Sequence, residues 1–239
     1  MSKQLERKVN ILTGYAVVSV LFFGYILFSS FTNNERHEKM DELTVKRINV
    51  IGEDGHLRMV ISNETRQHSG IINGKEIPQR ERPAGIIFFN DEGDECGGLI
   101  FHVKDTGEKV YSGMSFTMDN YHHDQVVQLV NDEKYADGKG VVKRGLVINE
   151  VPVGSDLSKI LDIQKIKDSV LRERKLKKWS EEEGSRQRLF VGRNRENETG
   201  LFLYDTTGKP RMEIFVDKSG EPRIKIIDEN GHSKDVLLQ

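Results

Sequence analysis

Residues 205–231 read DTTGKPRMEIFVDKSGEPRIKIIDENG and contain one short motif twice. The motif has seven positions, Gly-x-(Leu/Pro)-Arg-(Met/Ile)-x-Ile, where x is any residue. It begins at Gly208 and again at Gly220. An earlier copy begins at Gly55. Alternation of side chains after each glycine predicts strands with one face toward a core, because successive residues of a strand point to opposite sides.

An aspartate precedes each of the last three turns, at Asp205, Asp217 and Asp228. Spacings of 12 and 11 residues fit one strand plus one turn. Asp accepts hydrogen bonds from its own turn backbone, and Gly tolerates positive φ, so turn chemistry explains both residue types. Calcium loops carry more ligands than these turns offer. The repeat therefore predicts a β-meander.

The N-terminal part has a different composition. Residues 11–32 contain no charged side chain and are long enough to span a hydrocarbon core of about 30 Å. A cleaved signal peptide requires a small-x-small site, which residues 27–31 do not offer. We expect a transmembrane helix over 11–32 after a short basic tail, 1–10. Lys3, Arg7 and Lys8 favour a cytoplasmic N-terminus under the positive-inside rule, with the bulk of the chain outside the inner membrane.

The predicted fold class is mainly β: one N-terminal transmembrane helix followed by a β-meander or β-repeat domain with an inserted amphipathic helix. The boundaries are a neck over 33–46 and a mainly-β soluble domain over 47–239, with the helical insertion at 155–183. Ser155 is the expected N-cap, and the apolar spacing after it is helical. The insertion packs on the β-domain or lies on lipid or a partner.

Overall charge and cysteine content exclude several classes. The formal net charge is −2, which does not favour nucleic acid as a partner. One cysteine, Cys96, cannot form an intramolecular disulfide. No Walker A, Gly-x-Ser-x-Gly, His-Glu-x-x-His or Cys-x-x-Cys motif occurs in the sequence.

The first candidate site is an acidic run in the centre of the chain. Four carboxylates and a thiol fall within six residues: Asp91, Glu92, Asp94, Glu95 and Cys96. Crowded carboxylates bind hard cations or raise one another's pKa. The same composition is typical of a solvated hairpin turn. A reactive Cys96 requires a nearby base or helix N-terminus, and a strand context favours a small buried hydrophobe instead.

The second candidate site is Asp119-Asn120-Tyr121-His122-His123-Asp124. If this segment is a strand, His122 and Asp124 face the same side, where they could help to bind a metal. The long excursion over 63–83 is a further feature of interest, because loops beyond about 12 to 15 residues are commonly functional. Whether the two polar clusters share a cleft is not fixed by sequence.

Three segments carry a resemblance to other proteins. They are Arg82–Leu99 (RPAGIIFFNDEGDECGGL), Gly113–Asp119 (GMSFTMD) and Gln187–Arg193 (QRLFVGR). In these segments the chain resembles a group of bacterial membrane-anchored proteins for which no activity is established. The resemblance implies a bacterial origin and a shared β-rich fold, and it transfers no catalytic residue.

The favoured interpretation is a non-enzymatic scaffold or binding module of the bacterial cell envelope, anchored in the lipid bilayer through residues 11–32. It has no cofactor, and its partner is an unknown envelope protein or a further copy of the chain. A homo-oligomer is expected because strand edges invite pairing. The alternative is an envelope metal-dependent hydrolase that uses the Asp91–Cys96 and His122–Asp124 clusters.

Overall fold

The computed structural model describes residues 3–31 and 39–237. It is mainly β, with 43% strand against 22% helix, which confirms the predicted fold class. The chain forms a helical unit that ends at Thr44 and a β unit that begins at Val45.

The N-terminal helix, α1, spans Lys3–Phe31 and therefore begins eight residues before the apolar run. The tail predicted over 1–10 is helical from Lys3 onward. The segment Lys3–Ser29 contains an 18-residue window with a mean hydropathy of 2.1, and it is long and apolar enough to cross a membrane. Of the predicted neck, 33–46, the first six residues lie outside the described residues, and 39–46 contain no helix or strand.

The β unit contains one large antiparallel sheet and one small hairpin. The strands are β1 Arg47–Ile51, β2 Leu57–Ser62, β3 Ile71–Ile72, β4 Lys75–Glu76, β5 Ala84–Phe89, β6 Glu95–Asp105, β7 Lys109–Asp119, β8 Gln125–Ala136, β9 Lys139–Glu150, β10 Arg186–Arg193, β11 Thr199–Tyr204, β12 Pro210–Val216, β13 Pro222–Ile227 and β14 Ser233–Asp235. Twelve of them pair in chain order, and β3 pairs with β4 alone. The predicted meander is therefore continuous across the whole domain.

The turns have the chemistry expected from the repeat. In each of the last three, one carboxylate oxygen accepts the backbone N–H groups two and four residues later, at 2.8–3.0 Å; the acceptors are Asp205, Asp217 and Asp228. Asn90 and Asn194 accept in the same way. Five turns thus share one hydrogen-bond pattern, and the acidic run begins in one of them.

The helical insertion differs from the prediction. It contains two helices, α2 Lys159–Gln164 and α3 Ser169–Glu182, instead of one helix from Asp156. Ser155 does not cap a helix, because its hydroxyl donates to the Glu183 carbonyl at 3.0 Å. Asp168 caps α3 by accepting the Leu171 N–H at 3.0 Å. This second cap starts a new helix and divides the apolar pattern that sequence periodicity treats as continuous.

One face of the sheet, the phenylalanine face, holds most of the buried apolar residues; Val142 of β9, which is 7% exposed, lies on the opposite face. Phe202 stacks between Phe190 and Phe215 at ring-centroid distances of 5.7 and 5.8 Å. Lys143 lies over the Phe190 ring and Lys225 over the Phe215 ring, at 5.1 and 4.8 Å. A second cluster contains Val60, Ile87 and Phe89.

Glycines on the neighbouring strands make room for these rings. A Cβ at Gly145 would lie 2.8 Å from Phe190 Cε2, and one at Gly200 would lie 2.5 Å from Phe215 Cβ. Both would also meet a backbone carbonyl of the adjacent strand. Glycine is therefore required within the strands of the sheet as well as in the turns.

The opposite face, which we call the open face, carries two apolar rows perpendicular to the strands. Following the pairing register from β1 to β13 gives row one: Ile48, Ile61, Ile86, Leu99, Phe116, Leu129, Leu146, Val191, Leu201, Ile214 and Ile224. Two residues along each strand, row two is Val50, Met59, Phe88, Gly97, Met118, Val127, Ile148, Leu189, Leu203, Met212 and Ile226. Gly97 is the one position of the two rows without an apolar side chain.

Candidate functional site

Two excursions from the meander meet at one end of the central strands. The 63–83 segment carries a 3₁₀ turn and the β3–β4 hairpin, and the segment between β9 and β10 carries α2 and α3. Asn73 Nδ2 donates to Asp156 Oδ2 at 2.8 Å, and Lys75 Nζ lies 2.9 Å from Asp162 Oδ2. The segments with the least regular sequence therefore contact each other beside the β5–β6 and β7–β8 turns.

These turns bring together three of the predicted site residues. His122 Nε2 lies 3.3 Å from Glu92 Oε2 and 3.4 Å from Asp94 Oδ2. Ligand-type atoms of the three residues all lie within 4.8 Å of one another. The segment 120–124 is a turn, not a strand, and His122 has a φ of 53°. This turn directs His122 to the acidic run, whereas the strand geometry considered from sequence would have grouped it with Asp124.

Asp94 has a structural role in this cluster. It is 2% exposed, and its two carboxylate oxygens accept the Asn73 and Gly74 N–H groups at 2.7 and 2.8 Å. It thereby fixes the β3–β4 turn against the sheet. The Tyr121 hydroxyl donates to Glu92 at 3.1 Å, and this hydrogen bond raises the Tyr121 pKa. The Tyr121 ring stacks on His122 at 3.7 Å.

The other predicted site residues have different surroundings. Asp91 is almost fully exposed and lies 3.4 Å from Arg58. Glu95 forms a bidentate pair with Arg82, at 2.7 and 2.8 Å. Asp124 lines a separate cavity. The acidic run is therefore divided between two places, and it does not form one cation site.

That cavity, of about 240 Å³, lies between the two excursions and the strand ends. One wall of the cavity is apolar and consists of Ile72, Ile77, Leu157, Ile160 and Leu161. The other wall is polar and consists of Arg80, Arg82, Glu95, Asp119, His123, Asp124 and Gln125. Concave sites with a few converging polar groups are the usual form of small-molecule sites.

Asp119, at the end of β7, is the most perturbed acid that lines the cavity. Burial raises its pKa to about 7, with further contributions from Glu95 and Asp124, while Arg82 acts in the opposite direction. Its Oδ1 atom is buried and has no hydrogen-bond partner among the described residues. An unpartnered buried acceptor is unfavourable, which adds to the cost of keeping this carboxyl group ionised.

Two neighbouring groups are not available for nucleophilic or acid–base work. Burial raises the pKa of the Cys96 thiol, so the reactive thiolate is disfavoured. His123 is 3% exposed, and burial lowers its pKa. Its Nδ1 accepts the Asp124 N–H at 2.8 Å, so the neutral ring places its proton on Nε2, 3.2 Å from the Glu183 carbonyl oxygen.

Sequence analysis placed Asp119 in the second candidate segment, but it did not connect Asp119 with Arg82 or with the helical wall. The available signals were charged residues within an unusually long loop and an acid next to the His-rich turn. Neither signal gives a distance, because residues 82, 119 and 160 meet only after the meander and both excursions have formed.

The open face is the second candidate surface. Among its rows, seven residues are 38–54% exposed: Val50, Ile61, Met118, Leu129, Val191, Ile214 and Ile226. Ten strand spacings give a length of about 50 Å, and two rows give a width of about 12 Å, hence about 600 Å² in projection. The largest apolar patch of an ordinary monomer is about 300–600 Å². Asn131 and Arg144 border row one on β8 and β9.

Comparison with known proteins gives no assignment: no protein-family model matches the chain, and no curated protein or solved structure matches it significantly.

Proposed function

We propose that this chain is a non-enzymatic, membrane-anchored scaffold of the bacterial cell envelope, which assembles through the open face of its sheet. The observation that carries the proposal is the pair of apolar rows across eleven strands. The α1 helix supports anchoring, and the basic residues before the apolar run favour a cytoplasmic N-terminus.

The chemistry of the rows restricts the partner. Neither row contains a charged or hydrogen-bonding side chain, so a partner with charges at the contact would bury them unpaired. A flat apolar β-surface is the suitable complement, since sheets pack face to face at about 10 Å. Polar residues at the border, such as Arg144, resemble the rim of a protein interface.

The partner that we propose is a second copy of the chain. A twofold arrangement places the same surface on both sides and is therefore self-complementary. The projected area of about 600 Å² is comparable with the roughly 800 Å² that each partner buries in a stable interface. A membrane helix raises the effective concentration of other copies in the same bilayer. The edge pairing expected from sequence is a weaker route, because the edge strand β14 has only three residues.

Two valines with equal exposure provide a matched test. Val191 belongs to row one on the open face, and Val141 lies on the other face of β9; each is 43% exposed. We expect energy transfer between donor- and acceptor-labelled full-length chains in lipid vesicles. Val191→Lys should abolish this transfer because it buries a charge, and Val141→Lys should retain it. Transfer that survives Val191→Lys, or its absence in the unmodified chain, would contradict assembly through this face.

A metal-dependent hydrolase is the second candidate function, favoured by the convergence of Glu92, Asp94 and His122. The test is calorimetric titration of the full-length chain with zinc, manganese or calcium, with His122→Ala as the control. The scaffold proposal predicts no saturable binding, because Asp94 is engaged by two backbone N–H groups. Stoichiometric binding that His122→Ala removes would favour the hydrolase.

A further inference from the structure

The cavity between the two excursions has a feature that the scaffold role does not use. Asp119 presents a buried carboxylate oxygen without a donor. Arg82, whose charge lowers the Asp119 pKa, is occupied: it pairs with both oxygens of Glu95 and donates to the carbonyls of His68 and Ser69 at 3.1 and 3.2 Å. Asp119, whose side chain lines the cavity, therefore receives no hydrogen bond from this arginine.

The surroundings of Asp119 indicate the charge of that donor. On β6 it has Glu95 and Cys96 as neighbours, and on the following turn Asp124. Arg82 is neutralised by Glu95, and His123 is held as a neutral ring by its burial and by the Asp124 N–H that its Nδ1 accepts. From the 63–83 excursion, the exposed Arg80 adds one positive charge, while α2 and the residues before it contribute only Leu157, Ile160 and Leu161. A cationic donor would stabilise the carboxylates of Asp119 and Asp124.

The opposite wall indicates the rest of the ligand. Five Ile and Leu side chains line it, from the β3–β4 hairpin region, from α2 and from Leu157, which precedes α2. They suit an aliphatic chain and offer no hydrogen bond. The volume of about 240 Å³ lies below the range of about 300–1,000 Å³ for drug-sized ligands, so the occupant has roughly six to ten non-hydrogen atoms.

The geometry points to a binding site for a small aliphatic primary amine, with its ammonium group beside the carboxylates of Asp119 and Asp124, which line the cavity, and its chain against the Ile–Leu wall. The source is a free amine or the side chain of a lysine, which share this chemistry. No bond is made or broken in the site. The inference is independent of the open face, which neither wall includes.

Calorimetric titration of the full-length chain with n-pentylamine tests the site, with n-pentanol as the uncharged analogue and acetyl-lysine methylamide as the lysine mimic. We expect saturable binding of pentylamine at least tenfold tighter than pentanol. Asp119→Asn should weaken pentylamine binding at least tenfold, and the exposed Asp91→Asn should leave it unchanged. Tighter binding of the lysine mimic would assign a lysine side chain as occupant, and weaker binding a free amine.

A second variant and a measurement of proton release distinguish lost binding from a folding defect in Asp119→Asn. Leu161→Phe fills the cavity from its apolar wall and should also weaken binding. At pH 6 the bound amine should release a proton from Asp119, seen as a dependence of the heat on the buffer, and at pH 8.5 it should not. No saturable pentylamine binding, or binding that neither variant weakens, would overturn the inference.

Discussion

The two faces of the sheet differ in how their apolar side chains are covered. On the phenylalanine face, Phe190, Phe202 and Phe215 are each below 5% exposed, although polar residues interrupt their rows. On the open face the rows are almost entirely apolar, yet Leu129 is 54% exposed. The chain completes one face by itself, with rings, lysines and the two excursions. The other face has the composition of a core and the exposure of a surface, which is typical of an interface.

The largest expected effect concerns adjacent residues on the two faces. Phe202→Ala should lower the free energy of unfolding by about 3–5 kcal/mol, because it removes a buried ring between two others. Leu201→Ala, one residue away on the open face, should cost only about 1 kcal/mol in the monomer, since less area leaves contact. Urea unfolding of dilute full-length protein measures both. Equal losses would show that the open face is covered within the monomer.

At the end of the sheet beside the two excursions, Asp119 should make the free energy of unfolding depend on pH. Burial raises the pKa of Asp119 from 3.8 to about 7, so its stabilising contribution is full below pH 4 and is lost as the pH rises through 7. Asp119→Asn resembles the protonated form and should escape this loss. At pH 8.5 the variant should therefore be more stable than the unmodified chain, by at most about 4 kcal/mol.

Unfolding free energies at pH 4 and 8.5 check this prediction, with the exposed Asp91→Asn as the control that should follow the unmodified chain. A variant that is equally destabilised at both pH values would contradict a buried, proton-binding Asp119.

Much of the fold followed from local chemistry. The spacing of Asp205, Asp217 and Asp228 predicts the meander because each turn closes on its own aspartate, within five residues. The position of the helical insertion was predicted, but its division into two helices was not, because hydrophobic periodicity does not reveal the cap at Asp168.

The candidate sites were predicted less completely. Glu92, Asp94 and His122 were identified individually, but their convergence depends on a positive φ at His122 that alternation does not reveal. The open face depends on the pairing register of ten strand pairs, and a shift of one residue would move every row to the other side. Asp119 was named within the second candidate segment, but its surroundings were not predicted because its neighbours come from four separate segments.

Photo-crosslinking in the native membrane tests the central claim most directly. A benzophenone amino acid is placed at position 191 or 141 of the full-length chain, and adducts are sized and identified by mass spectrometry. We predict an adduct of twice the chain's mass from position 191 and none from position 141. A different protein or a lipid in the adduct would contradict the second copy as occupant. Equal yields from both positions, or no adduct from 191, would contradict an interface on the open face.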